Sequence, residues 1–98
     1  GHCVFESELH RIEGSLLAER ETDTAKVEEC FEQAIEVARK QQARSLELRA
    51  AISRARFRAS LGKVEAAYGA LAPVYSGFTE GFDTLDLRQA RTLLEKLR

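Results

Sequence analysis

The segment VEECFEQAIEVARKQQARSLELRAAISRARF, residues 27–57, decides the fold of this chain. Apolar side chains recur in it every three or four residues as far as Ala38, and the same spacing resumes at Leu48. Such a period is typical of amphipathic α-helices that bury one face. Only a few polar residues around Gln42 separate the two runs. We therefore predict two helices that pack as antiparallel neighbours across a short loop.

Helical spacing of apolar residues continues on both sides of this segment and predicts five helices. The predicted elements are a first helix over about 5–20, a second over about 23–42, a third over about 45–62, a fourth from about 63, a connector over 76–83 and a fifth helix over about 84–98. Pro73 falls inside the fourth pattern, where it predicts a kink or an early end. The fold class is therefore all-α, with helical hairpins over about 5–42 and 45–76 and a closing helix over about 84–98.

Polar residues before the apolar runs indicate where the helices begin. Asp23 and Ser45 are predicted N-caps of the second and third helices, because their side-chain oxygens can accept from the first free backbone N–H groups. Glu47 falls in the first turn of the third helix, where the helix dipole favours an acidic side chain. Either Asp83 or Thr84 is predicted to cap the fifth helix.

Composition agrees with one helical domain. The 98 residues leave room for one modest core, and 44% hydrophobic with 32% charged residues argues against disorder. No apolar stretch approaches the roughly 18 residues of a membrane-spanning helix, so no membrane association is expected. The chain has no Met, and Gly1-His2 is typical of a purification-tag remnant. We expect residues 3–98 to be a single domain cut from a larger protein.

The cysteines predict a reducing environment rather than a disulfide framework. Cys3 and Cys30 are the only two, and such a pair does not form a disulfide-rich scaffold. A cytoplasmic location follows as the expectation. Cys30 lies in the apolar pattern of the second helix, so it is predicted to be a small core residue with an inert thiol.

Sequence motifs for catalysis, cofactors or metals are not found. Gly62-Lys63 is the only Gly-Lys pair, but Val64 follows it where a phosphate-binding loop needs Ser or Thr. It is predicted to be a turn between helices. His10 stands alone on a charged helix and is predicted to be a surface or groove residue rather than a ligand. No spacing favours a nucleophile pair of Cys30 and His10. We predict a chain that is not an enzyme and that uses no cofactor.

Charge is distributed unevenly although the net charge is only −1. Residues 4–36 hold ten acidic and three basic side chains, whereas residues 44–63 hold six basic and one acidic. Three interpretations of the arginine-rich third helix are open. It can be a solvated face partly paired with the acidic first hairpin, a groove for an acidic peptide or a neighbouring domain, or a contact to nucleic-acid phosphates. The low net charge and the lack of stacking aromatics weigh against the third.

The groove interpretation depends on residues that share one side of a helix. Arg49 and Arg56 are seven positions apart with Ser53 between them, so they face the same way. Arg11 of the first helix completes the candidate partner-binding groove. Arg54 and Arg58, four positions apart, share another side.

An aromatic run precedes the fifth helix. Tyr75, Phe78 and Phe82 are predicted to fill the space between the fourth and fifth helices, and an exposed docking patch is the alternative.

A weak internal repeat relates the two hairpins. Val27, Phe31 and Ala34 are followed 37 residues later by Val64, Tyr68 and Leu71, and Gly14 is followed at the same distance by Ala51. Small residues beside an aromatic ring allow two helices to approach closely. A helical hairpin with Gly in its first helix and an aromatic and Ala in its second resembles the tetratricopeptide repeat. The resemblance implies a superhelical array whose last helix acts as a polar-backed cap.

A second resemblance covers almost the whole chain. It is carried by ELHRIEGSLL (8–17), EECFEQAIEVAR (28–39), SLELRAAISRARF (45–57) and PVYSGFTEGFDTLDLRQARTLLEKL (73–97), of which residues 78–91 are the most specific. These segments are similar to the C-terminal region of large bacterial signalling proteins. Those proteins join a class III adenylate or guanylate cyclase, or a DNA-binding domain, to a predicted P-loop ATPase and tetratricopeptide-like repeats. The resemblance implies a cytosolic regulatory protein whose catalytic parts precede this segment.

The function expected from these observations is binding. The leading hypothesis is a non-catalytic repeat module that binds the upstream domains of its parent protein or an acidic peptide. The alternative is a self-association module, and a nucleic-acid-contacting domain is less favoured. If the chain is cut from a longer array, its first helix should expose apolar surface, which would favour a homodimer of the isolated domain.

Overall fold

The computed structural model describes residues 5–20, 23–78 and 84–98. Within these ranges the chain is all-helical and has no strand, as predicted. The helices are α1 (Phe5–Glu19), α2 (Thr24–Lys40), α3 (Arg44–Ser60), α4 (Val64–Ser76) and α5 (Leu85–Leu97). The predicted boundaries agree to within about two residues, which is the ordinary uncertainty of helix ends.

Successive helices run antiparallel. Ser7, near the start of α1, donates its hydroxyl hydrogen to the Ala34 carbonyl in the second half of α2 at 2.7 Å, and Gly14 lies against Cys30 one turn earlier in α2. α3 and α4 also run antiparallel. Arg58, near the end of α3, donates to the Ala66 carbonyl near the start of α4, whereas Arg44, at the start of α3, donates to the Gly77 carbonyl after the end of α4. This confirms the prediction of antiparallel neighbours.

α3 occupies the centre of the fold. It contacts all four other helices, whereas α2 and α4 make no contact with each other within the described residues. α1, α3 and α5 therefore form one layer, which we call the inner layer, and α2 and α4 pack on its other side. The side chains that line the surface of the inner layer can come together from three separate helices.

The core lies mainly between α3, α4 and α5. Fully buried alanines let these helices approach closely, and Leu48 and Leu71 fill the space between them. A smaller cluster joins α2 to α3 through Ala34, Ile35 and Ala50. The buried ring of Phe31 packs against Phe57, with ring centroids 6.1 Å apart.

The 37-residue spacing holds for only part of the predicted repeat. Ala34 and Leu71 are both buried, as are Gly14 and Ala51, but the pair of Val27 and Val64 does not match. Val27 is fully buried, but Val64, its predicted equivalent 37 residues later, is 44% exposed. Val64 is the first residue of α4 and lies one turn before that helix reaches the core. The buried positions of α4 are instead Ala67 and Leu71, which follow Val27 and Phe31 by 40 residues.

Two of the predicted caps are confirmed and one is wrong. Asp23 accepts a hydrogen bond from the Ala25 backbone N–H at 3.0 Å, and Thr84 accepts from Leu87 at 3.4 Å. Asp83, the alternative cap, lies outside the described residues. Ser45 does not cap α3, because α3 begins at Arg44 and the residue before it has no side-chain capping bond. Glu47 does lie in the first turn, as predicted.

The turns at the two ends of α3 have the same hydrogen bonds, and they explain this early start. Ala43 N–H donates to the Ala38 carbonyl at 2.8 Å, and Lys63 N–H donates to that of Arg58 at 3.0 Å. These are Schellman turns, which need one residue in the left-handed region. Gln42 (φ 56°) supplies it in the first turn and Gly62 (φ 78°) in the second. The predicted helix-to-helix turn at Gly62-Lys63 is confirmed.

Pro73 does not end α4, so the expected early end is wrong. The helix continues for three residues to Ser76. Pro73 lacks the N–H that would bond to the carbonyl of Gly69. Both residues are exposed, so water can solvate that carbonyl. One lost hydrogen bond near the C-terminus is therefore tolerated.

Candidate functional site

The four residues of the predicted groove lie together on the surface of the inner layer. They line a hollow of about 230 Å³ formed by α1, α3 and α5. The lining consists of Arg11, Arg49, Ile52, Ser53, Arg56 and Gln89. The spacing of the residues on α3 thus placed them on one side, and α1 contributes Arg11 as expected. Whether a partner binds there remains a prediction.

Two of the four residues are already paired within the chain. Arg11 Nε lies 2.7 Å from Glu8 Oε2. Arg49 Nη1 lies 3.0 Å from Glu8 Oε1, and Arg49 Nε lies 3.0 Å from Asp86 Oδ2. This network joins α1, α3 and α5. Arg49 therefore holds the inner layer together, and Arg11 orients Glu8 from within α1, so neither presents a free charge.

The protonation of this network favours the ion pairs. Burial by itself raises the pKa of Glu8, but hydrogen bonds from Arg11 and Arg49 outweigh it, so that the pKa lies below its ordinary 4.5. The hydrogen bonds to Asp86 and Glu8 raise the pKa of the Arg49 guanidinium further. Glu8 and Arg49 are therefore both charged at neutral pH.

Arg56 differs from the other arginines of the hollow. Its side chain is exposed and makes no hydrogen bond or ion pair with the described residues. It lies where three adjacent hollows meet, one of about 340 Å³ toward α1, the central one, and one of about 410 Å³ toward α5. An anion approaching Arg56 would displace no partner that belongs to the described residues.

The hollow toward α5 adds basic side chains that the sequence interpretation did not include. It is lined by Arg56 together with Arg88, Arg91 and Lys96 of α5. Arg91 has one acidic neighbour, Glu95, at 4.0 Å. We call these four residues the basic face. The sequence shows three basic residues within α5, but α5 is predicted only to be a capping helix.

On the other side of α3, which we call the paired side, two arginines share one carboxylate. Glu28 of α2 accepts from Arg54 Nε at 2.8 Å and from Arg58 Nε and Nη2 at 2.8 and 3.0 Å. Burial by itself raises the pKa of Glu28, but these bonds, that of Arg58 first, bring it below 4.5. Arg39 likewise pairs with Glu47 at 2.9 Å. The interpretation of internal pairing with the first hairpin is confirmed for Arg54, Arg58 and Arg49.

The described part of the aromatic run packs inward. Tyr75 and Phe78 are half-buried against the core of α3, α4 and α5, which supports the filling role. Phe82 lies outside the described residues. Arg44 stacks over the Phe78 ring at 5.1 Å from the centroid and donates to the Gly77 carbonyl at 2.6 Å. The start of α3 is thereby attached to the end of α4.

Cys30 is not the core residue that was predicted. It is half-buried, because it lies beside Gly14 at the edge of the α1–α2 contact rather than inside it. Its thiol donates to Glu13 Oε1 at 3.6 Å. Burial, and then Glu13, raises the pKa of the thiol, which lowers its reactivity at neutral pH.

His10 lies half-buried on α1, and its Nε2 is 4.0 Å from Glu6 Oε1. Within residues 5–20, 23–78 and 84–98 there is no group of three His, Cys, Asp or Glu side chains that could hold a metal ion. Over the same ranges, every helix is too short or too polar to cross a bilayer.

No family model, no curated protein and no solved structure matches the chain. The tetratricopeptide-like arrangement and the resemblance to bacterial signalling proteins therefore remain predictions. The arguments about function below depend on the geometry of the inner layer.

Proposed function

We propose that this chain is a non-catalytic, tetratricopeptide-like module that binds an acidic protein segment on its basic face. Its antiparallel helical hairpins, α1 with α2 and α3 with α4, support the repeat interpretation. The layer of α1, α3 and α5 corresponds to the helices that line the binding surface in such repeats. An extended peptide on this layer would contact side chains from all three helices.

The observation that carries the proposal is the state of Arg56. Every other arginine of α3 has a partner within the chain, whereas Arg56 is exposed and unpaired among the described residues. A guanidinium can bind a carboxylate through two parallel hydrogen bonds, which gives orientation as well as affinity. Arg88 and Lys96 extend the same positive surface. A peptide with several Asp or Glu residues matches this arrangement.

The structure also changes the roles of the predicted groove residues. Ser53 and Arg56 remain candidates for contact with the partner. Arg49 would act by positioning, because its pair with Glu8 joins α3 to α1. Arg11 would support it by orienting Glu8 from within α1.

The resemblance to bacterial signalling proteins indicates where the acidic segment would come from. In a bacterial cytosolic protein with an upstream ATPase or cyclase, the acidic segment would belong to those upstream domains or to a regulatory partner. Binding at the basic face would then depend on the position of that segment. No cofactor and no catalytic residue takes part in this role.

The proposal is tested by fluorescence anisotropy with a labelled Asp/Glu-rich peptide. Arg56→Glu should weaken binding about tenfold or more, because it puts a carboxylate where the ligand needs a cation. Lys26→Glu is the matched control, since it changes the charge equally at an exposed site on α2. Lys26→Glu should alter affinity less than about twofold. Equal losses in both variants would contradict a site at Arg56.

A parallel titration with duplex DNA separates the nucleic-acid alternative. The proposal expects weak DNA binding that depends on net charge alone, so that Arg56→Glu and Lys26→Glu reduce it equally. DNA binding stronger than peptide binding and specifically lost in Arg56→Glu would replace the proposal with a nucleic-acid function.

A further inference from the structure

α1 carries a stripe of large apolar side chains that its own fold leaves exposed. Leu9, Ile12 and Leu16 are 65%, 44% and 49% exposed. Their spacing of three and four residues corresponds to successive a and d positions of a heptad, the pattern of helix pairing. We call these three residues the α1 stripe. The other exposed large hydrophobics of the described residues, Leu61, Val64 and Leu85, are separate and lie at helix ends.

The exposure follows from the way α1 packs. α1 contacts α2 through its smallest side chains, since Ser7 and Gly14 are its buried residues. A Cβ atom at Gly14 would lie 2.9 Å from Phe31 Cε1, so the two helices are as close as they can be there. Leu9, Ile12 and Leu16 therefore lie on its outer side.

Acidic side chains accompany the stripe. Glu6, Glu13 and Glu19 are exposed, and none of them pairs with a Lys or Arg of the described residues. Arg11 is already bound to Glu8, and Arg20, the other Lys or Arg of residues 5–20, lies one position beyond the end of α1. The stripe is therefore an apolar surface with a negative border.

We propose that the α1 stripe docks an amphipathic helix whose apolar face is bordered by Lys or Arg. Such a helix would cover Leu9, Ile12 and Leu16 and place its cations against Glu6 and Glu13. This surface and its ligand differ from the basic face and its acidic ligand, so the inference goes beyond the proposed function.

Charge also argues against a second copy of this chain as the occupant. If two α1 helices paired antiparallel, with Leu9 against Ile12 of the other copy, Glu6 would approach Glu13 of that copy. In parallel pairing, Glu13 would approach Glu8, which Arg11 and Arg49 already bind, so the charge argument applies to the antiparallel arrangement. Like charges at these border positions disfavour pairing, whereas opposite charges select the partner. A basic helix therefore fits the surface better than α1 itself.

The test uses two synthetic helical peptides with Leu at every a and d position. One carries Lys and the other Glu at the e and g positions. Isothermal titration of the full chain should give at least tenfold tighter binding for the Lys peptide, weakening as salt rises from about 0.05 to 0.5 M. Equal affinities, or no binding of the Lys peptide, would overturn the proposal.

Variants locate the site. Leu9→Ser/Leu16→Ser should reduce binding of the Lys peptide at least tenfold, and because both residues are exposed the helical circular dichroism should be unchanged. Leu61→Ser, at an exposed residue in the α3–α4 turn, is the matched control and should change binding less than twofold. Glu13→Lys should weaken binding of the Lys peptide and strengthen that of the Glu peptide. A loss in Leu61→Ser equal to that in the stripe variant would contradict the assignment.

Sedimentation of the chain alone completes the test. The proposal expects a monomer at the concentrations used for titration. A dimer that Leu9→Ser/Leu16→Ser abolishes would overturn the proposal in favour of self-association through α1.

Discussion

The two arginine-bearing sides of α3 have opposite environments although they belong to one helix. On one side, Arg54 and Arg58 share Glu28, and each of the three side chains is about three-quarters buried. On the other side, Arg56 is exposed and has no partner in the described chain. The first side stabilises the packing of α2 on α3. The second leaves positive charge free for a ligand, so positive charge in the sequence does not by itself mark a binding surface.

The largest expected difference between the two sides is in stability. Glu28→Ala should lower the free energy of unfolding by about 2 kcal/mol, because it leaves two partly buried guanidinium groups without their shared acceptor. Arg56→Ala should change it by less than about 0.5 kcal/mol. Urea denaturation measures both. Similar losses in the two variants would contradict the division of α3 into two sides.

Acid should weaken the ion pairs on both sides of α3. The pKa of Glu28 is lower in the folded chain than its ordinary 4.5, so the unfolded chain takes up the proton first. The stability that Glu28 contributes is therefore fully present above about pH 5 and is lost as the pH falls through the folded pKa. Glu8 contributes in the same sense.

The measurement is thermal unfolding at a series of pH values from 6 to 3. Glu28→Gln should reduce the loss of stability on acidification, and Arg56→Ala should leave it unchanged. An unchanged slope in Glu28→Gln would show that other groups control the acid response.

The turns at the two ends of α3 offer a smaller comparison that involves no charge. Gln42→Gly should stabilise the chain by about 0.5–1 kcal/mol, because Gln42 holds a positive φ that glycine adopts without strain. Gly62→Ala should destabilise by about 1 kcal/mol, and only through φ, since a Cβ there meets no atom within 4 Å. Denaturation midpoints check both signs.

A small loss of stability is expected at Asp86, whose carboxylate binds Arg49 at the edge of the central hollow. Asp86→Ala should cost only about 0.5 kcal/mol, because Arg49 is 45% exposed and keeps its bond to Glu8. It should also release part of the Arg49 charge into the hollow and strengthen binding of the acidic peptide about threefold. Unchanged or weaker peptide binding would show that the hollow does not receive the ligand.

The helices and two of the caps could be predicted because they depend on local pattern. The apolar period locates α2 and α5, and Asp23 and Thr84 cap by local geometry. The prediction of Ser45 as a cap is wrong because α3 begins one residue earlier, at Arg44, directly after the Schellman turn at Gln42. Such a turn with a non-glycine residue at positive φ has no strong sequence signal.

The candidate site was only half predictable for a different reason. The i, i+7 spacing places Arg49 and Arg56 on one side of α3, and the structure brings both to one hollow. Which of them is neutralised depends on Asp86, 37 residues from Arg49, and on Glu8, 41 residues away. Ion pairs between distant residues depend on tertiary packing, and no spacing rule gives them.

The central claim is that the basic face, and not the paired side of α3, receives an acidic segment. NMR titration of the ¹⁵N-labelled chain with the Asp/Glu-rich peptide tests it directly. The account predicts shifts of backbone amides centred on Arg56 and on Arg88, Arg91 and Lys96 of α5, with Glu28 and its neighbours in α2 unaffected. Shifts confined to α2 and α4, or spread evenly over the surface, would contradict it.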